Sequence, residues 1–262
     1  MVHCSNQTFY ATFINKLTLV IIYNTTKFGD LLLESIAFIP DGNRRYAKMT
    51  GISFAKSYSI GTQKAWDVLG WLKKYPKIST GTFYTFSLKN FNRSKIELKV
   101  LMKIFEHELD KVKKQKIIVE NGIRLNFIGK RDLFSKTVQK KMIEAEKYTS
   151  QFDNKLVNLA LGYDGQTEIV DAAKRFAIDV ANGTADADFI NPETFKQYLY
   201  ADFKAPDLIV RTSFEQRLSG FLTYQSSYSE LAFLDKYWPE LNENDVNKIV
   251  VDFDNRERRF GK

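Results

Sequence analysis

A short segment that follows an apolar run carries the side chains most able to do chemistry in this chain. The run of residues 36–39 ends at Pro40, and the next five residues are Asp41, Gly42, Asn43, Arg44 and Arg45. A carboxylate can hold a divalent cation, a glycine lets backbone N–H groups approach an anion, and arginines clamp phosphate oxygens in pairs. Because Asp-Gly-Asn after a strand is also common in tight turns, this segment alone leaves a plain turn open.

Two later segments also place polar groups next to apolar runs. The first carries Ser87, Asn90 and Arg93, and the second spans residues 211–219 and is followed by Glu230. In open α/β sheets, ligands bind outside the carboxyl ends of the strands. The three segments together predict one site for a metal-bound phosphorylated ligand at that edge, without defining the reaction.

The spacing of apolar residues predicts a single α/β domain with a mainly parallel sheet of about six strands surrounded by helices. The strands are predicted at residues 35–39, 82–86, 124–128, 156–161, 208–210 and 231–234. One helix is predicted to begin at Ser94, which forms a capping box with Glu97, and to end at Gly122. Further helices are predicted at residues 62–75, 134–149, 167–181, 192–200 and 243–255.

Composition limits the class of protein. With 44% hydrophobic and 27% charged residues in 262, the chain is typical of a globular protein and not of a disordered one. The single cysteine, Cys4, cannot form an internal disulfide, which fits a reducing cytoplasm. The net charge of +8 could indicate nucleic acid, but the lysines of residues 95–155 share predicted helices with glutamates. We therefore expect solvated helix faces and no nucleic-acid partner, although basic charge also favours anionic diphosphates and lipid surfaces.

Taken in order, the three polar segments resemble the signature regions of the cis-prenyltransferases, the undecaprenyl diphosphate synthase family. The resemblance extends from about residue 36 to residue 262 and includes the closing residues 256–261. It implies a catalytic domain over residues 35–262, preceded by an N-terminal extension over residues 1–34. The apolar part of that extension, residues 9–23, is interrupted by Asn15 and Lys16 and is too short to span a bilayer.

The resemblance implies an enzyme that adds isopentenyl diphosphate repeatedly to an allylic diphosphate, with a new cis double bond at each step. The product would be a long-chain polyprenyl diphosphate, the precursor of a glycosyl carrier lipid. Asp41 and Asn90 would be catalytic, and Asp41 and Glu230 would hold Mg²⁺. Because a neutral amide is a poor base, we expect Asn90 to orient a substrate while a diphosphate oxygen takes the proton. The implied substrate-binding residues are Gly42, Asn43, Arg44, Arg45, Tyr46, Ser87, Leu88, Lys89, Phe91, Arg93, Arg211, Arg217, Leu218 and Ser219.

The resemblance further implies a homodimer, while the single cysteine and the basic charge lead us to expect a cytoplasmic protein with peripheral contact to membranes. Departures from the family pattern concern the primer site, where Phe54 and Tyr58 replace an arginine and a histidine of the bacterial sequences. They also include Asp164 in place of a glycine and Gly220 in place of an asparagine. Because Phe54 and Tyr58 remove positive charge and add apolar surface, binding should depend more on the primer's hydrocarbon, and we expect geranylgeranyl diphosphate, rather than farnesyl diphosphate, to be the preferred primer. The alternative is a non-catalytic subunit of a heteromeric cis-prenyltransferase.

Overall fold

A computed structural model describes residues 32–256 and builds them around one six-stranded sheet. The strand order is β3-β4-β2-β1-β5-β6, and every pairing is parallel. The strands are β1 (Ser35–Ile39), β2 (Thr80–Ser87), β3 (Ile123–Ile128), β4 (Lys155–Tyr163), β5 (Leu208–Thr212) and β6 (Glu230–Leu234). All six predicted strands are therefore confirmed, most of them with bounds a few residues wider.

Helices connect successive strands, except that β5 and β6 are joined by a loop over residues 213–229. The helices are α1 (Asn43–Thr50), α2 (Phe54–Trp71), α3 (Lys95–Lys111), α4 (Lys116–Glu120), α5 (Lys136–Thr149), α6 (Gly165–Ala181), α7 (Pro192–Phe195) and α8 (Glu243–Asp254). One of the two hydrogen bonds of the predicted capping box of α3 is confirmed: the Ser94 side chain accepts a hydrogen bond from the Glu97 N–H.

The predicted end of the α3 helix at Gly122 is wrong. The helix stops at Lys111, a 3₁₀ turn follows, and the separate helix α4 ends just before Gly122. In a continuous helix Val112 and Ile118 would lie about 120° apart around the axis. The break instead lets both reach the core, where they are 3% and 0% exposed.

The sheet is apolar on both faces because helices and loops cover both. On one face, Ile36 and Phe38 of β1 pack in a core shared with α2, α3, α5 and α8, and the Phe38 ring stacks on Phe83 at 5.2 Å. On the other face, Ala37 and Ile39 pack with residues of the segment that follows β5. Residues alternate between the faces along each strand, so the two cores follow directly from the strand pattern.

Within residues 32–256, no helix is both long enough and apolar enough to cross a bilayer. The predictions for residues 1–31, including Cys4, and for the closing residues 257–262 lie outside the described residues.

Candidate active site

The polar segments converge at the carboxyl edge of the sheet, as the sequence predicts. Asp41 follows β1, Ser87 ends β2 and Arg211 lies near the end of β5. β1 lies between β2 and β5, with Ile39 opposite Arg211. Three segments that are distant in sequence therefore meet around the central strand.

Asp41 is fixed in place through both its side chain and its backbone. Its Oδ2 accepts hydrogen bonds from Arg211 Nη2 at 2.9 Å and from Arg45 Nη2 at 3.2 Å, and its Oδ1 accepts one from the Gly42 N–H at 2.6 Å. Its own N–H donates to Thr212 Oγ1 at 3.0 Å, and the Thr212 hydroxyl donates to its carbonyl at 2.8 Å. The carboxylate thus faces two guanidinium groups without freedom to turn away. Thr212 was missed in the sequence, where a threonine at a strand end carries no distinctive signal.

Gly42 allows helix α1 to begin directly beside this carboxylate. Its φ of 101° is left-handed, and an added Cβ would lie 2.6 Å from both Ser213 Oγ and a ring carbon of Tyr237. No other residue type fits this combination of backbone conformation and close packing. The first N–H groups of α1 lack helical partners and carry partial positive charge, which makes this end suited to an anion.

The segment after β5 wraps around Arg211 in an unusual backbone conformation. Four non-glycine residues between 213 and 222 have positive φ, namely Ser213 (87°), Phe214 (62°), Ser219 (53°) and Leu222 (47°). The Arg211 side chain, 5% exposed, donates from Nη1 to Ser219 Oγ at 2.8 Å and to the carbonyl of Arg217. Strained backbone of this kind persists where the surroundings hold it and clusters at functional sites.

Glu215 links the segment after β1 to the segment after β5. Its carboxylate accepts from Arg45 Nη1 at 2.9 Å and also pairs with Arg217. Hydrogen bonds from Arg217 and Arg45 hold the pKa of the Glu215 carboxyl below its ordinary value. Glu215 was not predicted as a site residue from the sequence, although an acidic residue two positions before Arg217 in a segment rich in phosphate-binding groups was an available signal.

The polar segment after β2 forms a short 3₁₀ turn, Leu88–Asn92, that fixes Asn90 and Arg93. Asn90 Oδ1 accepts from the Ser87 N–H at 3.2 Å. Arg93 Nη1 donates to the hydroxyl of Tyr58 at 2.6 Å, and the Tyr58 ring lies 4.4 Å from that of Phe54. Burial raises the pKa of the Tyr58 hydroxyl, although Arg93 opposes this, so the tyrosine is neutral near pH 7.

A cavity of about 1060 Å³ opens at this edge and runs between the sheet and helices α2 and α3. Its mouth is cationic. Of the residues that the structure describes, seven cationic side chains line it: Arg44, Arg45, Lys48, Lys89, Arg93, Arg211 and Arg217. Its interior is apolar, with walls that include Leu69, Phe83, Phe86, Leu101, Ile104, Phe105, Leu125, Phe127, Val157 and Leu159.

Most of the predicted site residues line this cavity. They are Asp41, Gly42, Asn43, Arg44, Arg45, Ser87, Lys89, Asn90, Arg93, Arg211, Arg217 and Ser219. Tyr46, Leu88, Phe91 and Leu218 do not line it. Phe91 packs on Phe86 and Phe134, and Leu218 packs into the core on the opposite face of the sheet.

Glu230 lies at the opposite edge of the sheet from Asp41. Glu230 is the first residue of β6 and pairs with Leu208 at the start of β5. Asp41 instead bonds to Thr212 at the end of β5, which pairs with Leu234 at the end of β6. Four residues of strand span about 13 Å. Glu230 instead accepts a hydrogen bond from Arg256 Nη1 at 2.7 Å. Asp41 and Glu230 of the same chain are therefore too far apart to hold one ion together. A metal role for Glu230 stays a prediction.

Asp41 alone is a suitable protein ligand for a Mg²⁺ ion. No group of three or more His, Cys, Asp or Glu side chains in residues 32–256 could hold a metal ion. Mg²⁺ in proteins commonly retains several waters and takes one or two carboxylates together with substrate phosphates. A single fixed carboxylate at a cationic, anion-binding mouth matches that donor set.

The sequence and the fold both match known proteins. The family profile described as "Putative undecaprenyl diphosphate synthase" matches residues 39–261. A tritrans,polycis-undecaprenyl-diphosphate synthase (geranylgeranyl-diphosphate specific) from Pyrobaculum aerophilum is 42% identical over 232 residues, covering 87% of this chain and 95% of that protein. An isoprenyl transferase from Thermus thermophilus is 40% identical over 232 residues, covering 87% of this chain and 88% of that one.

Among solved structures, that of lavandulyl diphosphate synthase from Lavandula x intermedia in complex with dimethylallyl diphosphate matches with a TM-score of 0.84. The two chains are 30% identical, and the match covers 89% of this chain and 100% of the other. The profile, the relatives and the fold agree with the resemblance carried by the polar segments. The chain belongs to the undecaprenyl diphosphate synthase family of cis-prenyltransferases.

Proposed function

We propose that this protein condenses isopentenyl diphosphate repeatedly onto geranylgeranyl diphosphate at the carboxyl edge of its sheet. As a member of its family it is a prenyl transferase that elongates an allylic diphosphate with cis double bonds. The choice of primer and the roles of individual residues are our proposal.

The observation that carries the proposal is the cationic mouth on an apolar cavity. The ligand that matches such a site is an amphiphile with an anionic head and a long hydrocarbon tail. Burial of the tail contributes roughly 25 cal/mol for each Å² of apolar surface removed from water. An allylic diphosphate has this chemistry, and its product keeps the same head and a longer tail.

We assign the two diphosphates to the two arginine groups of the mouth. The start of α1, with Gly42 and Arg45, suits the allylic diphosphate because open N–H groups and a guanidinium face the same space. Arg211, Arg217 and Ser219 suit isopentenyl diphosphate. Support for placing them side by side comes from Glu215, which binds Arg45 and Arg217 at once.

In each round, the bond between C1 of the allylic unit and its diphosphate breaks, and the isopentenyl double bond attacks that carbon. A proton then leaves the isopentenyl unit as the new double bond forms. Arg45 and Arg211 stabilise charge that builds up on the diphosphates, and their fixed positions avoid reorganisation during the reaction. Asp41 would hold Mg²⁺ at this position, and the ion would supply further charge neutralisation for the leaving group.

Asn90 serves orientation in this scheme. Its Oδ1 is engaged by the Ser87 N–H, which leaves the amide NH₂ group to contact a substrate. An amide does not take a proton near neutral pH, so the proton passes to a diphosphate oxygen.

The aromatic pair Phe54 and Tyr58 favours the longer primer. Both side chains line the cavity near its mouth, and Tyr58 offers a neutral hydroxyl that engages Arg93. Compared with an arginine and a histidine, the pair adds apolar surface and removes charge. Binding then depends more on the hydrocarbon, which grows with each isoprene unit. The name of the Pyrobaculum relative, which specifies geranylgeranyl diphosphate, supports the same choice.

We also propose a homodimer that works in the cytoplasm with peripheral membrane contact. Apolar side chains beside the edge strand β6 support self-association, since Phe214, Tyr228 and Leu231 are 55%, 76% and 38% exposed. The alternative of a non-catalytic subunit is disfavoured by the presence of Asp41 with its arginine partners.

The test is incubation of the purified protein with Mg²⁺, labelled isopentenyl diphosphate and either geranylgeranyl or farnesyl diphosphate. We expect polyprenyl products containing cis units, and a higher kcat/KM for geranylgeranyl diphosphate. Products with farnesyl diphosphate clearly preferred would remove the primer assignment. Absence of incorporation with every primer by the isolated protein would favour the non-catalytic alternative.

A further inference from the structure

A carboxylate lies inside the otherwise apolar part of the cavity. Glu108 of α3 lines it, and Glu108 Oε2 accepts from the indole N–H of Trp66 of α2 at 3.0 Å. Glu108 Oε1 accepts from the Lys111 ammonium at 2.9 Å, toward the outer surface. We call Trp66, Glu108 and Lys111 the polar seam, because they join α2 to α3 along one wall of the cavity.

The polar seam lies far from the diphosphate-binding mouth. Helices α2 and α3 run in the same direction. Near the start of both helices Tyr58 contacts Arg93, and toward the end of both Trp66 contacts Glu108. Glu97, on the first turn of α3, pairs with Arg44 at the mouth. Glu108 comes eleven residues later on α3, a rise of about 16 Å.

The wall is apolar on both sides of the polar seam. Leu101, Ile104 and Phe105 line the cavity on the mouth side, and Leu69, Leu109 and Val112 continue it beyond. A growing hydrocarbon passes the first group favourably and then meets a carboxylate held by two hydrogen bonds. Contact with the chain takes water away from that carboxylate without offering it a new partner, and this opposes further growth.

We propose that Glu108 is a specificity-determining residue that limits product length, acting where the tail of the product reaches the polar seam. The proposal rests on the proposed chain elongation and concerns the length of the product, not whether a product forms. A purely structural role for Glu108 as a clamp between α2 and α3 predicts a loss of stability with no change in product length.

The experiment compares the full-length wild-type protein with Glu108→Leu, Glu108→Gln and the control Glu106→Leu. Glu106 lies on the same helix and does not line the cavity. Each protein is given an allylic primer, Mg²⁺ and excess isopentenyl diphosphate, and product lengths are measured by mass spectrometry after dephosphorylation. Thermal unfolding followed by circular dichroism shows whether each variant is folded.

We expect Glu108→Leu to lengthen the main product by at least one isoprene unit and Glu106→Leu to leave it unchanged. Glu108→Gln keeps the size of the side chain and removes its charge, so it should give a smaller shift in the same direction and should fold even where leucine does not. Products of wild-type length, or shorter ones, from the folded Glu108 variants would overturn the proposal. A wild-type protein that forms no product would contradict the proposed function as well.

Discussion

Replacing Asp41 by asparagine removes the charge that faces Arg45 and Arg211 and keeps the shape of the side chain. The amide oxygen can still accept the Gly42 N–H, as Oδ1 does at 2.6 Å in the native protein. What is lost is the hard anionic oxygen, Oδ2, that binds both guanidinium groups. The variant therefore separates the charge of Asp41 from its role in packing.

The structure indicates a modest cost in stability and a large one in rate. Removing one partner of a fully buried ion pair costs about 3–5 kcal/mol. The Asp41 side chain is 31% exposed, and Arg211 retains its bonds to Ser219 and to the Arg217 carbonyl. We therefore expect a loss of about 1–2 kcal/mol in the free energy of unfolding. Loss of one fixed group that stabilises developing charge typically lowers kcat by about 10²–10³.

The assay is steady-state condensation with labelled isopentenyl diphosphate over a range of Mg²⁺ concentrations. Because both arginines remain cationic, KM should change little while kcat falls, as expected when an interaction specific to the transition state is lost. Asp41→Ala should be at least as slow, since it also removes the acceptor for the Gly42 N–H.

Glu215→Gln is the matched control. It also removes a carboxylate bonded to Arg45, but from a residue to which we assign no metal. We expect its kcat to fall by less than about tenfold. The reasoning is refuted if folded Asp41→Asn keeps a kcat within about tenfold of wild type, or if Glu215→Gln is as slow as Asp41→Asn.

Three further outcomes are expected. Tyr58→Phe removes the acceptor of the 2.6 Å bond from Arg93, and it should raise the KM of one diphosphate roughly three- to tenfold in steady-state kinetics; an unchanged KM for both substrates would contradict this. Gly220→Asn puts a Cβ 2.7 Å from Asp164 Oδ2 at a φ of 80°, so kcat/KM for isopentenyl diphosphate should drop; the added change Asp164→Gly removes the clash but not the backbone strain, so it should restore only part of the loss. Additive losses in the double variant would show that the two positions do not interact. Light scattering should give about twice the 30.4 kDa chain mass, and a purely monomeric active preparation would exclude the dimer.

The sheet could be predicted from the sequence because each strand is a compact apolar run. All five residues of β1 are buried, for example, which makes the strand visible without any partner. Helix α1 could not be predicted in the same way. Only Asn43 and Ala47 of its eight residues are buried, and it depends on the turn at Gly42 and on a bond from the Ser57 hydroxyl to the Asn43 carbonyl.

The start of α2 was missed for a related reason. The sequence predicted a helix from residue 62, whereas the helix begins at Phe54, capped by Ser53. Its first turns contain serines and a glycine, which have low helix propensity, and they are stabilised by packing against α1.

For the site, the sequence predicted which segments meet but not how their charges pair. The ion pairs of Glu215 depend on the path of the loop after β5, which local patterns do not encode. The position of Glu230, in contrast, could have been read from the sequence. A residue that precedes a strand of a parallel sheet lies at the opposite edge from Asp41, which follows one.

The central claim is that two diphosphates bind at the carboxyl edge of the sheet while the primer's hydrocarbon fills the cavity between the sheet and helices α2 and α3. A crystal structure with Mg²⁺, isopentenyl diphosphate and a non-reactive thio-analogue of geranylgeranyl diphosphate tests it most directly. The account predicts diphosphate oxygens within hydrogen-bond distance of Arg45 and Arg211, Mg²⁺ on Asp41, and the tail running past Phe86 toward Glu108. Diphosphates bound elsewhere, or a tail lying outside this cavity, would contradict it.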